Sequence, residues 1–232
     1  MVKHMKKEQS QHTDLRPYEK CLAFGAEALS DAELLAVIIR SGASGTTAVR
    51  LAGQVLSLCK QKSGLLGIHH LSLKELMEVR GIGEVKAIQI KCIGELSKRI
   101  ARTAAGERLT FENPASVADY YMEALRHEEQ EQMICMMLDT KNHLLGEETL
   151  SKGTVNASAI TPRELFLAAL SYRAVSILLV HNHPSGDPMP SREDLLLTQR
   201  VKRAGEMLGI FLLDHIVIGD CSYCSMKQED LL

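Results

Sequence analysis

His181 and His183 stand two residues apart, directly after the apolar run Val175-Ser-Ile-Leu-Leu-Val180. On a strand, residues i and i+2 point to the same face, so both imidazoles can converge on one ion. The loop that follows, Pro-Ser-Gly-Asp-Pro-Met-Pro over 184–190, is stiffened by its prolines and turned by Gly186, and returns the chain to Ser191-Arg-Glu-Asp194. That string has capping-box spacing with Asp in place of Glu, which sets Asp194 in the first turn of a helix. Two imidazoles and one carboxylate form a three-ligand set that leaves the fourth tetrahedral position for water, the catalytic rather than the structural arrangement of Zn2+. Each feature alone has a plainer explanation: a polar strand rim for the histidines, a helix cap for Asp194, an ordinary loop residue for Asn182. Their combination predicts a metal site with His181, His183 and Asp194 as ligands.

The elements that must position these residues have a consistent grammar. Gln132–Leu138 is a buried strand, turned by Asp139-Thr-Lys-Asn142, and a second strand covers about 144–150. Helices are expected over Ser116–Arg126, Pro162–Leu170 and Leu195–Leu208, with Val175–Val180 a central strand, apolar throughout, and Phe211–Ile218 a last core strand. The first half is helical instead. Capping boxes at Ser30-Asp-Ala-Glu33 and Ser72-Leu-Lys-Glu75 open two helices, and Thr161-Pro-Arg-Glu164 opens one in the second half. A helix is expected within Thr46–Lys60, and another over Glu84–Arg102 with Val85, Ile88, Cys92, Leu96 and Ile100 as its apolar stripe. Gly81-Ile-Gly83 between helices has the form of a helix-hairpin-helix, whose glycines let backbone N–H groups approach a phosphate. Lys86, with Lys91, Lys98, Arg99 and Arg102, supplies basic side chains nearby. A plain packing hairpin has the same form, so DNA contact through Gly81, Gly83 and Lys86 is one of two readings. The expected architecture has two domains: an all-α helix-hairpin-helix domain over 1–102, a linker over 103–113 and an α/β domain over 114–232.

Composition narrows the function classes. The chain has 232 residues, 45% of them hydrophobic, enough for one large core or two modest ones. No apolar run approaches the length of a membrane span, and the basic start lacks a following apolar region, so neither a membrane protein nor a secretory signal is expected. The cysteines at 21, 59, 92, 135, 221 and 224 lie mostly in helix and strand patterns, the usage of a reducing compartment; a cytoplasmic protein is the expectation. Cys221-Ser-Tyr-Cys224, lacking a second pair, reads as two ordinary thiols. Residues 1–105 carry 16 Lys and Arg against 10 Asp and Glu, and residues 106–232 carry 11 against 19. A basic half joined to an acidic half suggests different partners, although Lys3, Lys6 and Lys7 supply half of the excess.

The string His181-x-His183-Pro followed by Ser191-x-x-Asp194 resembles the JAMM (MPN-domain) metalloprotease motif. The fuller HNHPSGDPMPSREDLLLT, with LLDHIVIGD, LDTKN, GTVNASAITPRELFLAAL and RPYEKCLAFGAEALSDAELLAVIIRSG, is similar to the bacterial RadC family from Arg16 onward. The resemblance implies a JAMM/MPN fold for the second half and a zinc hydrolase acting on a peptide or isopeptide bond. It implies Ser191 as a donor near the water or the oxyanion, and a glutamate at the head of a strand as general base. Glu131 occupies that position, with Glu128, Glu129, Glu147 and Glu148 as neighbours. The DNA-repair label of RadC-like proteins is carried over by resemblance alone. Two rivals remain open: a DNA-binding or scaffolding protein without turnover, and a zinc-dependent hydrolase of nucleic acid. The substrate is not specified by the residues.

Overall fold

The computed structural model describes residues 15–60, 62–106, 109–153 and 160–232. Lys3, Lys6 and Lys7 lie outside them, as do residues 107–108 of the expected linker. The chain divides into two compact units, 1–97 and 98–232.

The first unit is helical: α1 (Pro17–Phe24), α2 (Asp31–Ile39), α3 (Ala48–Leu56), α4 (Gly67–His70), α5 (Leu73–Glu78) and the start of α6 (Glu84–Gly106). Ser30 and Ser72 cap α2 and α5 as expected, each side chain accepting from the backbone N–H three residues on while the glutamate there reaches back. Leu35, Ile39, Leu51, Val55, Ile68, Leu76 and Ile90 form the core. The division between units falls within α6, at Ser97/Lys98, and 103–106 are still helical. The apolar stripe expected on this helix is not the buried one. Val85 is 70% exposed, Leu96 57% and Ile100 68%, whereas Ala87 and Ile90 are fully buried. Small residues let α6 approach its neighbours closely: Gly94 is also buried, and a Cβ there would sit 3.4 Å from His69 Nδ1. Counting large apolar side chains selects the wrong face of such a helix.

The second unit is an α/β domain. Its five-stranded sheet has the order β2-β1-β3-β4-β5, from β1 (Gln132–Leu138), β2 (Leu144–Lys152), β3 (Ser176–Asn182), β4 (Phe211–Ile218) and β5 (Tyr223–Ser225). β3 pairs antiparallel with β1 and parallel with β4, so it is central and buried along its whole length. Alternation sorts its side chains. Ile177 and Leu179 join Met133, Cys135 and Met137 under α8 (Pro162–Ser171) and α9 (Arg192–Leu208). Leu178 and Val180 join Ile134, Met136, Ile216 and Ile218 under α7 (Pro114–Leu125) on the other face. The fold is helical in its first unit and α/β in its second. Among the described residues, no helix is long and apolar enough to cross a membrane.

Candidate metal centre

His181 continues the odd-numbered side of β3, the side that carries α9. Beyond the strand, His183 N donates to Ile218 O at 2.9 Å, which keeps the chain in line for one further residue. The loop then turns at Gly186, where φ is +84° and Asp220 Cβ would lie 3.2 Å from any added Cβ; Asp220 N donates to Gly186 O at 2.9 Å. This brings the chain to Ser191, the N-cap of α9. Ser191 N and Oγ donate to Asp194 Oδ2 at 2.8 and 2.6 Å, and Asp194 N donates back to Ser191 Oγ at 3.2 Å. Asp194 is thus buried at a helix start, with its carboxylate facing the two histidines.

The three ligand atoms converge. His181 Nε2 and His183 Nε2 are 3.1 Å apart; Asp194 Oδ1 lies 3.4 Å from the first and Asp194 Oδ2 3.4 Å from the second. A tetrahedral Zn2+ with bonds of about 2.0–2.1 Å separates its ligands by about 3.3 Å, so the donor set fits the ion. Protonation agrees. His183 Nδ1 lies 2.8 Å from Asp187 O, which can only accept, so Nδ1 carries the proton and the neutral ring leaves Nε2 bare. His183 is pulled above the usual histidine range, chiefly by Asp194. Burial works to raise the Asp194 carboxyl, yet contacts with His181, His183 and Ser191 hold it far below the ordinary range.

Glu131 directly precedes β1. Met133 pairs with His181, so the antiparallel register carried two residues further sets Glu131 opposite His183 on the metal face. Its carboxyl is raised, first by burial, although His183 and His181 pull the other way. Asn182, buried between the two histidines, grips the backbone on either side of Glu131: Gln132 N donates to Asn182 Oδ1 at 2.8 Å, and Asn182 Nδ2 donates to Gln130 O at 3.2 Å. Two of the four competing carboxylates are engaged elsewhere. Glu128 pairs with Lys98 at 3.4 Å and Lys152 at 3.7 Å, and Glu147 accepts from Arg102 and Tyr121.

Sequence reasoning missed Asn182 as a clamp and two buried residues behind the ligands, His215 and Thr198. His215 Nε2 lies 2.9 Å from His181 Nδ1, and Thr198 Oγ1 lies 2.6 Å from His215 Nδ1. The available signal was Asp214-His215, a polar pair inside the otherwise apolar strand FLLDHIVI. Asp214 is itself fully occupied, accepting from His215 N, Ser225 Oγ and Lys227 N.

In the first unit, the hairpin residues have distinct roles. Lys86 Nζ donates to three backbone carbonyls, Ser41 O at 2.7 Å, Gly81 O at 3.0 Å and Gly42 O at 3.3 Å, so its ammonium ties loops together. Gly81 has φ +104°, and a Cβ would meet Ala43 Cβ at 2.4 Å, whereas nothing lies within 4 Å of one at Gly83. Gly81→Val is therefore expected to destabilise this unit by about 2–4 kcal/mol, through strain and overpacking. Gly83→Val should stay within about 1 kcal/mol, since it meets only the lower helix-start preference of valine. Urea unfolding of the two variants checks the contrast, and equal midpoints would refute it.

A family model described as RadC-like JAB domain matches residues 111–231, and one described as UPF0758 N-terminal matches 9–88. A UPF0758 protein of Desulforamulus reducens is 42% identical over 94% of this chain and 95% of its own length. Relatives of the same name from Desulforudis audaxviator and Bacillus velezensis are 44% and 43% identical, each over 94% of this chain and 94% and 93% of their own lengths. With the His-His-Asp cluster in place within the matched α/β unit, the chain belongs to the RadC-like JAB family of UPF0758 proteins.

Proposed function

We propose that residues 98–232 form a zinc-dependent hydrolase of the JAMM type that cleaves a peptide or isopeptide bond. The observation that carries this reading is the convergence of two imidazole nitrogens 3.1 Å apart on the Asp194 carboxylate, each 3.4 Å from one of its oxygens. His181, His183 and Asp194 would hold the ion. When bound, Zn2+ supplies a Lewis acid and lowers the pKa of a coordinated water to about 7. Glu131, with its raised carboxyl on the same face, takes the proton of the attacking water and returns it to the departing amine. Asn182 fixes the main chain of Glu131, and Ser191 fixes Asp194. Donation by Ser191 to a developing oxyanion requires its hydroxyl to turn away from Asp194 Oδ2, so the geometry favours the positioning role.

The test is a trap. Tagged Glu131→Gln protein, loaded with zinc, is used to capture proteins from cells, and each captured protein is then offered to zinc-loaded wild type. Cleavage by wild type and not by the variant supports the reading. If the captured proteins all stay intact, the scaffolding reading replaces it, and cleavage of a nucleic acid instead would move the activity to that substrate class.

A nucleic-acid contact through the first unit is a second reading, favoured by the open approach to Gly83. Full-length protein is expected to bind duplex DNA weakly, with Kd on the order of 10⁻⁴–10⁻⁶ M at physiological salt and a steep loss as salt rises. Gly83→Val, which leaves the fold intact, should weaken binding by blocking approach to the backbone N–H groups. Fluorescence anisotropy across a salt series checks this, and unchanged binding by the folded variant would make the hairpin a packing device.

A further inference from the structure

The two ligating imidazoles differ in what lies behind them. His183 has a backbone carbonyl, whereas His181 has a second imidazole buried in the sheet. His215 is 0% exposed, and both its ring nitrogens are in contact with polar groups, Nε2 with His181 Nδ1 at 2.9 Å and Nδ1 with Thr198 Oγ1 at 2.6 Å. Neither partner is a carboxylate, and burial of an imidazolium without one is strongly unfavourable, so the ring is neutral and holds a single proton.

The position of that proton follows from Thr198. Its hydroxyl lies 2.7 Å from Asp194 O, a carbonyl that can only accept, so the single Thr198 proton goes there. Thr198 Oγ1 must therefore accept from His215 Nδ1–H. The neutral His215 then has a bare Nε2, which accepts from His181 Nδ1–H. As a neutral imidazole, His181 has no second proton for Nε2, whose lone pair faces His183 Nε2 at 3.1 Å and the metal position. The direction of every bond in the chain is set at one end by a backbone carbonyl of α9.

We propose that His215 is a positioning residue that, through Thr198 and the Asp194 carbonyl, locks His181 in the tautomer with a bare Nε2 and so prepares it to bind the ion. This rests on the reading of His181 as a metal ligand. The same relay joins β3, β4 and the first turn of α9, the elements that carry His181, His215 and Asp194. It therefore couples ligand chemistry to the packing of Asp194 against the sheet.

Zinc affinity and imidazole nitrogen spectra test the proposal without a substrate. In zinc-free wild type at pH 8.5, long-range proton–nitrogen correlation spectra should place the His181 proton on Nδ1, with the signals assigned by their loss in His181→Ala. His215→Leu removes the acceptor and is expected to weaken zinc binding about 10–100-fold, the usual effect of losing a partner behind a ligand. His215→Gln, whose side-chain oxygen reaches the place of Nε2, should recover affinity to within about threefold of wild type. A His181 proton on Nε2 in the wild type overturns the proposal, even if His215→Leu fails to fold. Equal affinity in His215→Leu overturns it too, and a His215→Gln variant as weak as His215→Leu reduces His215 to packing. If wild type binds no zinc at all, the metal reading itself fails, while the nitrogen spectrum still decides the tautomer.

Discussion

Glu131→Gln is expected to fold, to bind zinc as tightly as wild type, and to lose turnover by about 10²–10⁴-fold, the usual contribution of a general base. Glutamine has the same length and keeps the hydrogen-bonding reach of the side chain, but it cannot take a proton near neutral pH. The backbone grip of Asn182 on Gln130 and Gln132 does not involve the Glu131 side chain, so the start of β1 should stay in place. Two of the other acids close in sequence make poor substitutes. Glu128 is tied to Lys98 and Lys152, and Glu147 to Arg102 and Tyr121, each serving to join elements of the unit. Zinc content, circular dichroism and cleavage of a trapped substrate are measured on the same preparation. If the variant cleaves like wild type, the base is another residue, and the register argument that sets Glu131 opposite His183 has no catalytic meaning.

The meeting of His181, His183 and Asp194 was legible because its parts follow local rules. Alternation along β3 fixes which side His181 takes, three prolines limit the loop, and the Ser191–Asp194 cap fixes the first turn of α9. Each of these is written within a dozen residues of the ligands. The α/β order of the second unit was legible for the same reason, and Phe211–Ile218 was bounded correctly as a strand. What lay behind the ligands was not legible. Asn182 acts on Gln130 and Gln132, some fifty residues away, and His215 acts on His181 across a parallel strand pair that no local pattern specifies.

The first unit hid its packing for a different reason. Helix α6 carries large apolar residues on more than one side, and the core took the side where the small residues Ala87 and Gly94 flank Ile90. Hydrophobic periodicity measures side-chain transfer, and close helix approach depends instead on where side chains are short. Lys86 shows the same limit. Its place after Gly81-Ile-Gly83 suggested a phosphate, yet its ammonium is surrounded by the carbonyls of Ser41, Gly42 and Gly81. A lysine near a turn meets unsatisfied backbone oxygens before it meets a ligand, and only the tertiary arrangement of the loop over Ser41 and Gly42 reveals which.

Protein purified without chelators is expected to carry close to one zinc per chain, and His181→Ala, His183→Ala and Asp194→Ala should each lose it. Structural zinc sites bind with about 10–16 kcal/mol over four ligands, or roughly 3 kcal/mol for each, so one deletion should weaken binding by at least about 100-fold. Asp194→Ala carries a second penalty, because the same carboxylate accepts from Ser191 at the start of α9, and losing such a cap costs about 1 kcal/mol. His183→Ala leaves that cap intact, so the two variants should lose zinc alike but differ in the stability of the metal-free protein. Binding should also depend on pH with a definite sign. The ion must displace the proton that Asp194 favours on His183, whose pKa is raised, so affinity is full above that raised value and falls as pH drops through it. Zinc release should therefore begin at a higher pH than the ordinary histidine value of about 6.5 would give, by about tenfold in Kd per pH unit for one displaced proton. Elemental analysis and competition with a chromogenic chelator across a pH series provide the measurement. Wild type that takes up no zinc even after incubation with the ion would remove the metal centre as a working site, and affinity independent of pH between 5 and 8 would show that His183 is not among the ligands.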